Sequence, residues 1–212
     1  MRKLLRLLLW TALVIGALIG VARLVALRWW RVPTDDPILE ASIAPTLRGG
    51  DLVILWRLTP ARFGDLVLCP EPEAEGRIVI GRIAGENGDH VSVKGSTVSV
   101  NGKRAATERA CAQFSVRDPN TDNDVKQHCQ IEVLGSVAHM RGSADGHKQQ
   151  PLDVARDVPD GSIFLLSDNR LYPFDSRDYG SVERATCQES IVFRLVSSDG
   201  FFDVARRFTF IH

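Results

Sequence analysis

The sequence predicts a mostly β protein: an antiparallel sheet body with an inserted smaller region, preceded by one transmembrane helix. Three observations lead to this prediction. Short runs rich in Val and Ile recur between Gly, Pro and Asn, no segment alternates strand and helix, and a long uncharged run follows a basic amino terminus. The organisation expected is an anchor over residues 1–28, a linker over 29–37, a β core over 38–103 and 158–196, an inserted region over 104–157 and a tail over 197–212.

The composition is that of a globular protein with one apolar segment. Of 212 residues, 44% are hydrophobic and 25% are charged, and 26 basic residues balance 26 acidic ones. A net charge of zero gives no electrostatic case for a nucleic-acid partner. The four cysteines lack CxxC spacing, which argues against a structural metal, and no cofactor is expected.

The amino terminus predicts a membrane anchor. Arg2, Lys3 and Arg6 precede an uncharged run over residues 7–22. A helix over residues 7–27 would be about 30 Å long, which matches the hydrocarbon core of a bilayer. The basic start favours a single-pass protein of the inner (plasma) membrane whose body lies on the periplasmic or extracellular side. A cleavable signal peptide is the alternative, and its removal would leave no anchor.

The body is predicted as short strands separated by turns. Lys94-Gly95-Ser96 is typical of a hairpin loop, and Asn101-Gly102 of the turn that follows. The inserted region is polar and turn-forming, so its histidines are expected at the surface. Those histidines are His128, His139 and His147. The strands predicted are 52–56, 65–68, 77–80, 90–93, 97–100, 163–166 and 190–196, with one modest strand at 130–133 inside the insertion.

One serine is set between an apolar run and a turn. Ser42 follows residues 38–41, precedes Pro45-Thr46-Leu47, and is followed by a Gly-Asp pair that opens the strand at residue 52. This arrangement predicts a hydroxyl held at the end of a strand with backbone amides exposed near it. A proline-containing turn after a strand explains the same residues.

Four sequence blocks, in this order and spacing, resemble the bacterial signal peptidase I (leader peptidase) family of membrane-anchored serine proteases. The blocks are residues 39–51, 64–68, 81–89, and the pair Ser167-Asp168-Asn169-Arg170 and Asp175-Ser176-Arg177. The resemblance implies an endopeptidase that removes signal peptides, with Ser42 as the nucleophile of a Ser–Lys dyad. The partners it implies are the lipid bilayer and secretory precursor proteins or signal peptides.

The place of the family's lysine general base is occupied by Gly81, and glycine has no side chain to accept a proton. Pro173 also stands where the family has a serine that supports the lysine. Glu40 is one substitute base, since it would share a strand face with Ser42, and His90 is a more distant one. The alternative function is a catalytically silent relative that binds signal-peptide-like segments. A purely structural envelope protein is the third class.

The remaining blocks are predicted to support the site and to hold substrate. By resemblance, supporting side chains brace the site through charge-assisted hydrogen bonds. They are Arg82, Asp168, Asn169, Arg170, Asp175, Ser176 and Arg177. A peptide is expected to add as a strand between residues 38–42 and 78–82. The shallow pockets of this groove would be lined by Ile38, Ile43, Leu47, Val79 and Ile80.

The cysteines predict one disulfide. Cys111 and Cys129 flank the acidic loop of the inserted region, and a bridge between them would form in an oxidising compartment. It would close a loop of about 19 residues and contribute about 3 kcal/mol by chain entropy. Cys69 and Cys187 are expected to be free. The alternative for Cys111 and Cys129 is that they are two separately buried thiols.

Overall fold

The computed structural model of the chain describes residues 2–147 and 151–211. The helices are α1 (Arg2–Val25), α2 (Pro37–Ile43) and α3 (Ser176–Tyr179). The strands are β1 (Leu27–Arg31), β2 (Leu52–Trp56), β3 (Leu66–Pro70), β4 (Ile78–Gly85), β5 (His90–Lys94), β6 (Thr97–Val100), β7 (Lys103–Arg104), β8 (Ala106–Arg117), β9 (Asp124–Leu134), β10 (Val137–Gly142), β11 (Val154–Asp157), β12 (Ser162–Leu166), β13 (Val182–Glu183), β14 (Glu189–Val196) and β15 (Thr209–Phe210). The predicted mostly β class is confirmed.

A curled antiparallel sheet forms the body. Its strands lie in the order β1-β2-β14-β3-β4-β12-β13, and β15 pairs with β14 beside this path. Two smaller sheets accompany it, one of β10-β9-β8 and one of β11-β5-β6-β7. On β2, Val53 and Leu55 are buried whereas the residues between and beside them are partly exposed. This period of two is the reason that the Val-rich runs form strands with one face on the core.

Two apolar layers lie on opposite faces of β4. On one face, Leu39 and Ile43 of α2 share a buried cluster with Ile80. On the other face, Ile83 shares a cluster with Leu165 of β12. Each fully buried aliphatic side chain of this kind contributes about 1.5–3 kcal/mol. The central strand β4 therefore separates the layer that holds α2 from the layer that holds Leu165.

The predicted turns have the backbone geometry that tight hairpins require. Asn101 and Gly102 both have positive φ, +52° and +78°, and they join β6 to β7 as a two-residue loop. Gly95, with φ +53°, lies in the loop between β5 and β6. Positive φ is inexpensive for Gly and tolerated by Asn, which is why these residues indicated turns.

The inserted region contains more strand than the sequence predicted. β8 has 12 residues and β9 has 11, and with β10 they form a separate sheet. The prediction of a single strand at residues 130–133 is wrong. Most side chains of β8 are exposed, so it lacks the alternation by which a half-buried strand is recognised. β8 is held in the strand conformation by its hydrogen-bonded pairing with β9.

Both pairs of cysteines are bridged. The predicted Cys111–Cys129 disulfide is present, with 4.9 Å between the Cα atoms of two register partners on β8 and β9. A second disulfide joins Cys69 and Cys187, whose Cα atoms are 4.5 Å apart. The prediction that these two thiols are free is wrong, because β3 and β14 are neighbours in the main sheet and bring the two cysteines together.

The amino-terminal segment is helical, as predicted, over Arg2–Val25. Many of its apolar side chains are more than half exposed, among them Trp10, Leu13 and Leu18. Residues 27–31, predicted to belong to the anchor and the linker, form β1 and pair with β2. Within residues 2–147 and 151–211, no helix combines the length and hydropathy needed to cross a membrane. The transmembrane prediction is therefore not confirmed.

Candidate active site

Ser42 lies near the end of a short helix rather than at the end of a strand. α2 begins after Asp36, whose carboxylate accepts hydrogen bonds from two amides of the first turn at 3.1 and 3.0 Å. Pro37 occupies the first helical position, where a missing N–H is tolerated. An aspartate cap followed by proline is a local helix-start signal. The extended strand predicted over residues 38–42 is therefore wrong.

The hydroxyl of Ser42 is buried and already hydrogen-bonded. It donates to the Leu39 carbonyl oxygen at 2.8 Å, and the residue has no exposed surface. Asn169 holds the same turn, since its amide donates to the Ser42 carbonyl at 3.0 Å and its side chain to the Ala41 carbonyl at 2.9 Å. Among the described residues, no ionisable side chain hydrogen-bonds to this hydroxyl. In this arrangement Ser42 lacks the adjacent base that activates a serine nucleophile.

Gly81, at the predicted position of the general base, lies in a tightly packed part of β4. Gly81 is buried on β4, and a Cβ atom added there would lie 3.0 Å from the Cβ of Leu165 and 3.4 Å from the amide nitrogen of Leu166. Because side chains alternate along a strand and Ile80 faces α2, a side chain at position 81 would enter the opposite layer. A lysine at position 81 would therefore displace Leu165.

Glu40 and His90, the two predicted substitute bases, make no hydrogen bond to Ser42 among the described residues. Glu40 is exposed on α2, and its Oε2 would be 3.1 Å from a methyl group placed on Gly49. On a helix, residues two apart project about 200° from each other, so the predicted shared face of Glu40 and Ser42 is wrong. His90 lies on β5 in another sheet, with its Nδ1 2.6 Å from a carboxylate oxygen of Asp157.

Of the two strand edges predicted to form the substrate groove, the one at residues 38–42 is absent because these residues lie in α2. β4 pairs with β3 over residues 78–82, whereas β12 pairs with it only at Arg82, Ile83 and Gly85. On the side away from β3, residues 78–81 therefore have no partner among the described strands. Of the five side chains expected to line the groove, four are core residues and one is exposed. Ile43, Leu47, Val79 and Ile80 are at most 1% exposed, whereas Ile38 is 41% exposed.

The paired polar blocks form buried ion pairs beside α2. Arg82 donates to both carboxylate oxygens of Asp168, at 2.7 and 3.1 Å, in the bidentate geometry that guanidinium favours. Arg177 makes a second bidentate pair with Asp175 at 2.9 and 2.8 Å. Burial opposes ionisation of Asp175, but Arg177 outweighs it and lowers the pKa of that carboxyl group. The supporting role of these residues in catalysis remains a prediction.

Hydroxyl and amide contacts connect the two blocks. The Ser176 hydroxyl accepts the Leu165 amide at 2.9 Å, and Asp175 accepts the Ser167 amide at 2.8 Å. These bonds fasten the end of β12 to the start of α3. The main chain that carries Asn169, and through it the Ser42 turn, is therefore held by buried hydrogen bonds.

Sequence reasoning missed a group of buried ionisable residues from the inserted sheet. Glu132 of β9 forms an ion pair with Arg170 and lies 3.3 Å from Arg141 and 3.4 Å from His139 of β10. His139 is also 3.7 Å from Asp168. Its predicted place at the surface is wrong, since it is 3% exposed. The available signal was the polar residues at alternate positions of an otherwise apolar strand.

Burial and neighbouring charges set the protonation of this group. Burial opposes ionisation of Glu132, but Arg170, His139 and Arg141 outweigh it and lower the pKa of Glu132 to about 2. Burial and the Arg82 charge lower the pKa of His139, so its imidazole is neutral near pH 7. The described residues contain no cluster of His, Cys, Asp or Glu that could hold a metal ion.

Residues 5–196 match the family model described as signal peptidase, peptidase S26. The chain therefore belongs to the signal peptidase family, and the resemblance seen in its sequence blocks is confirmed. Signal peptidase I V of Bacillus subtilis (strain 168) is 27% identical over 153 residues, which cover 70% of this chain and 77% of that protein. Signal peptidase I of Bacillus caldolyticus is 28% identical over 146 residues, 67% of this chain and 68% of that protein.

Part of this chain also aligns with one solved structure. The crystal structure of a signal peptidase I from Enterococcus faecalis V583 aligns with a TM-score of 0.37 and 21% sequence identity. The alignment covers 63% of this chain and 97% of that one.

Proposed function

We propose that this protein is a membrane-attached member of the signal peptidase family that binds signal-peptide-like segments of secretory precursors and does not cut them with Ser42. The observation that carries the proposal is the closed position 81. Gly81 supplies no base, and Leu165 fills the space that a basic side chain would need. A serine without a general base forfeits about 10²–10⁴-fold in rate.

The second candidate is a signal-peptidase-type serine endopeptidase. It is favoured by the family match over residues 5–196 and by the retained Ser42 block, whose turn is held by Asn169. Activity would require rearrangement of α2, because the hydroxyl is buried and bonded to the Leu39 carbonyl. Glu40 or His90 would then have to reach Ser42 to act as a base.

Cleavage of a signal-peptide substrate by the purified full chain in detergent separates the two candidates. Wild type and Ser42→Ala are expected to bind the labelled substrate with equal affinity and to cleave it at the same background rate. Cleavage that Ser42→Ala abolishes would establish the endopeptidase. Loss of that cleavage in Glu40→Gln or in His90→Ala would then name the base. Absence of binding by wild type would contradict both candidates.

We also propose that α1 attaches the chain to the inner (plasma) membrane, with the body on the periplasmic or extracellular side. The exposed apolar side chains of α1 support attachment, as does Arg23, whose guanidinium lies 4.3 Å from the ring centre of Trp29. The two disulfides support an oxidising compartment.

Fractionation tests this placement. The protein should resist extraction from membranes by alkaline carbonate, and protease added to intact spheroplasts should degrade the body. Extraction into the soluble fraction would contradict attachment. Degradation only after lysis would contradict the external body.

A further inference from the structure

A cavity of about 370 Å³ borders the first turn of α2. Its walls come from separate segments: Ile38 of α2, Pro119 at the tip of the β8–β9 hairpin, and residues 171–173 after the Asn169 block. Pro173 is the residue that stands in place of the family's serine. The volume lies at the small end of the range of about 300–1,000 Å³ typical of ligand pockets. Ile38 is the one wall residue that was also predicted to line the substrate groove, and the other walls were not predicted from the sequence.

Its walls are held in place by polar contacts. The Tyr172 hydroxyl lies near the Asp118 carboxylate, which places the 171–173 segment beside the hairpin tip. Asp118 Oδ1 also accepts the Asn120 amide at 2.8 Å and so fixes the turn at the tip. Burial and the Asp118 charge raise the pKa of Tyr172 to about 12, which keeps the phenol protonated as a donor. The cavity is therefore preformed, which lowers the entropic cost of binding a ligand.

One wall carries a buried donor without a partner. The Arg177 side chain is 3% exposed, and its Nε and Nη2 donate to Asp175. Its Nη1 is buried and has no hydrogen-bond partner among residues 2–147 and 151–211. Asp178, beside it in the cavity wall, brings a carboxylate that accepts the Asp175 amide through Oδ2. An unsatisfied buried donor is costly, so a ligand acceptor at this wall would stabilise the complex.

We propose that this cavity binds an extended apolar peptide segment, with a backbone carbonyl on Arg177 and an apolar side chain between Ile38 and Leu152. A peptide unit carries one acceptor and one donor, which matches the Arg177 guanidinium and the Asp178 carboxylate. Ile38 and Leu152 supply apolar surface in the same lining. The inference rests on the proposed recognition of signal-peptide-like segments and assigns that recognition to a location formed in part by the inserted hairpin.

Fluorescence anisotropy with a short capped peptide, Ala-Leu-Ala-Val-Ala, tests the location. The paired variant Ile38→Glu and Leu152→Glu places two carboxylates on side chains that are 41% and 82% exposed, so folding should be little affected. Its Kd should rise about tenfold or more, because a charge in an apolar contact must be desolvated. The matched control is Leu58→Glu with Val204→Glu, at residues 53% and 72% exposed that do not line the cavity. It should bind as wild type does.

A second measurement uses the same peptide with a photoreactive side chain in place of Leu. Mass mapping should place the cross-links at Tyr172, Leu152 or Pro119. Equal affinities for wild type and the paired cavity variant, or cross-links confined to other residues, would overturn the cavity while leaving the proposed recognition in place. If wild type binds a full signal peptide but not the short peptide, the cavity proposal is also overturned and the proposed recognition stays in place. Failure of wild type to bind either peptide would overturn both.

Discussion

At residue 81 the absence of a side chain affects the packing of β4 against β12. A Cβ atom there would approach Leu165 to 3.0 Å, closer than the ordinary contact of about 3.5–4.0 Å between carbon atoms. Leu165 belongs to the buried cluster on the face of β4 away from α2. Introducing a basic side chain at Gly81 therefore requires a change in this cluster in addition to one substitution.

Gly81→Lys is expected to lower the free energy of unfolding by about 1–3 kcal/mol through overpacking, and to leave the protein unable to cleave a signal-peptide substrate. Urea denaturation measures the first effect and a cleavage assay the second. Adding Leu165→Ala should recover part of the lost stability, because it removes the side chain that the lysine meets. A Gly81→Lys variant that is as stable as wild type and cleaves would contradict this account of position 81.

His139 is the buried residue whose titration reports on the inserted sheet. Its pKa is lowered in the folded protein, first by burial and then by the nearby Arg82 charge. In the unfolded chain a histidine takes up its proton near pH 6.5. Below that pH the unfolded state therefore binds a proton that the folded state does not, and the free energy of unfolding falls as the pH falls.

Urea denaturation at pH 7.5 and 5.5 should show this loss of stability in wild type and a smaller loss in His139→Gln. His128→Gln is the matched control, since His128 lies on the same sheet but is exposed, and it should behave as wild type does. An unchanged pH dependence in His139→Gln would show that another group is responsible. At lower pH, Glu132 adds a separate loss between about 4.5 and 2, because its folded pKa is lowered to about 2.

At the scale of elements, α2 positions Ser42 and its start is encoded locally. The Asp36 carboxylate caps the first turn and also lies 3.3 Å from Arg77. The N-cap places the carboxylate near the positive end of the helix, where a negative charge is favourable. Because residues 37–43 form a helix rather than a strand, the side chains of Glu40 and Ser42 point in different directions.

Asp36→Ala should lower the free energy of unfolding by about 0.5–2 kcal/mol, as the loss of an N-cap does in other helices. Asp36→Asn should lose less, because asparagine also caps. The neighbouring exposed Asp35 provides the control, and Asp35→Ala should leave the urea midpoint nearly unchanged. Equal effects of Asp35→Ala and Asp36→Ala would argue that general charge, rather than the cap, stabilises this end of α2.

At the scale of the whole molecule, the two disulfides close loops of very different length. Cys69 and Cys187 are 118 residues apart in sequence, and Cys111 and Cys129 are 18 apart. By chain entropy a 15-residue loop contributes about 3 kcal/mol and a 100-residue loop about 4.7 kcal/mol. The long bridge also fastens β3 to the segment that leads into β14, within the core of the main sheet.

Replacing Cys69 and Cys187 together by Ala should therefore cost about 1–2 kcal/mol more than replacing Cys111 and Cys129 together. Urea denaturation without reductant measures both losses, and mass mapping of non-reduced peptides checks that the remaining bridge is intact. An equal or smaller loss from the Cys69 and Cys187 pair would contradict the loop-length argument.

The sequence by itself determined the features that depend on neighbouring residues. The Val-rich runs became strands because alternation is a local property, and Asn101-Gly102 became a tight turn because those residues tolerate positive φ. The Cys111–Cys129 bridge was predictable because both cysteines flank one loop. The family blocks were recognisable for the same reason, since each lies within a few residues. The helical start at Asp36 is also encoded locally, by an aspartate cap followed by proline.

Only the tertiary structure decided which distant segments meet. Leu165 closes the space at Gly81 because β12 pairs with β4, and Cys69 reaches Cys187 because β3 and β14 are neighbours. Glu132 reaches Arg170 because the inserted sheet lies against the Asn169 block. Periodicity specifies which residues of a strand are buried but not which strand lies beside it. Strand order therefore determines which residues contact each buried side chain, including those around Gly81 in the candidate site.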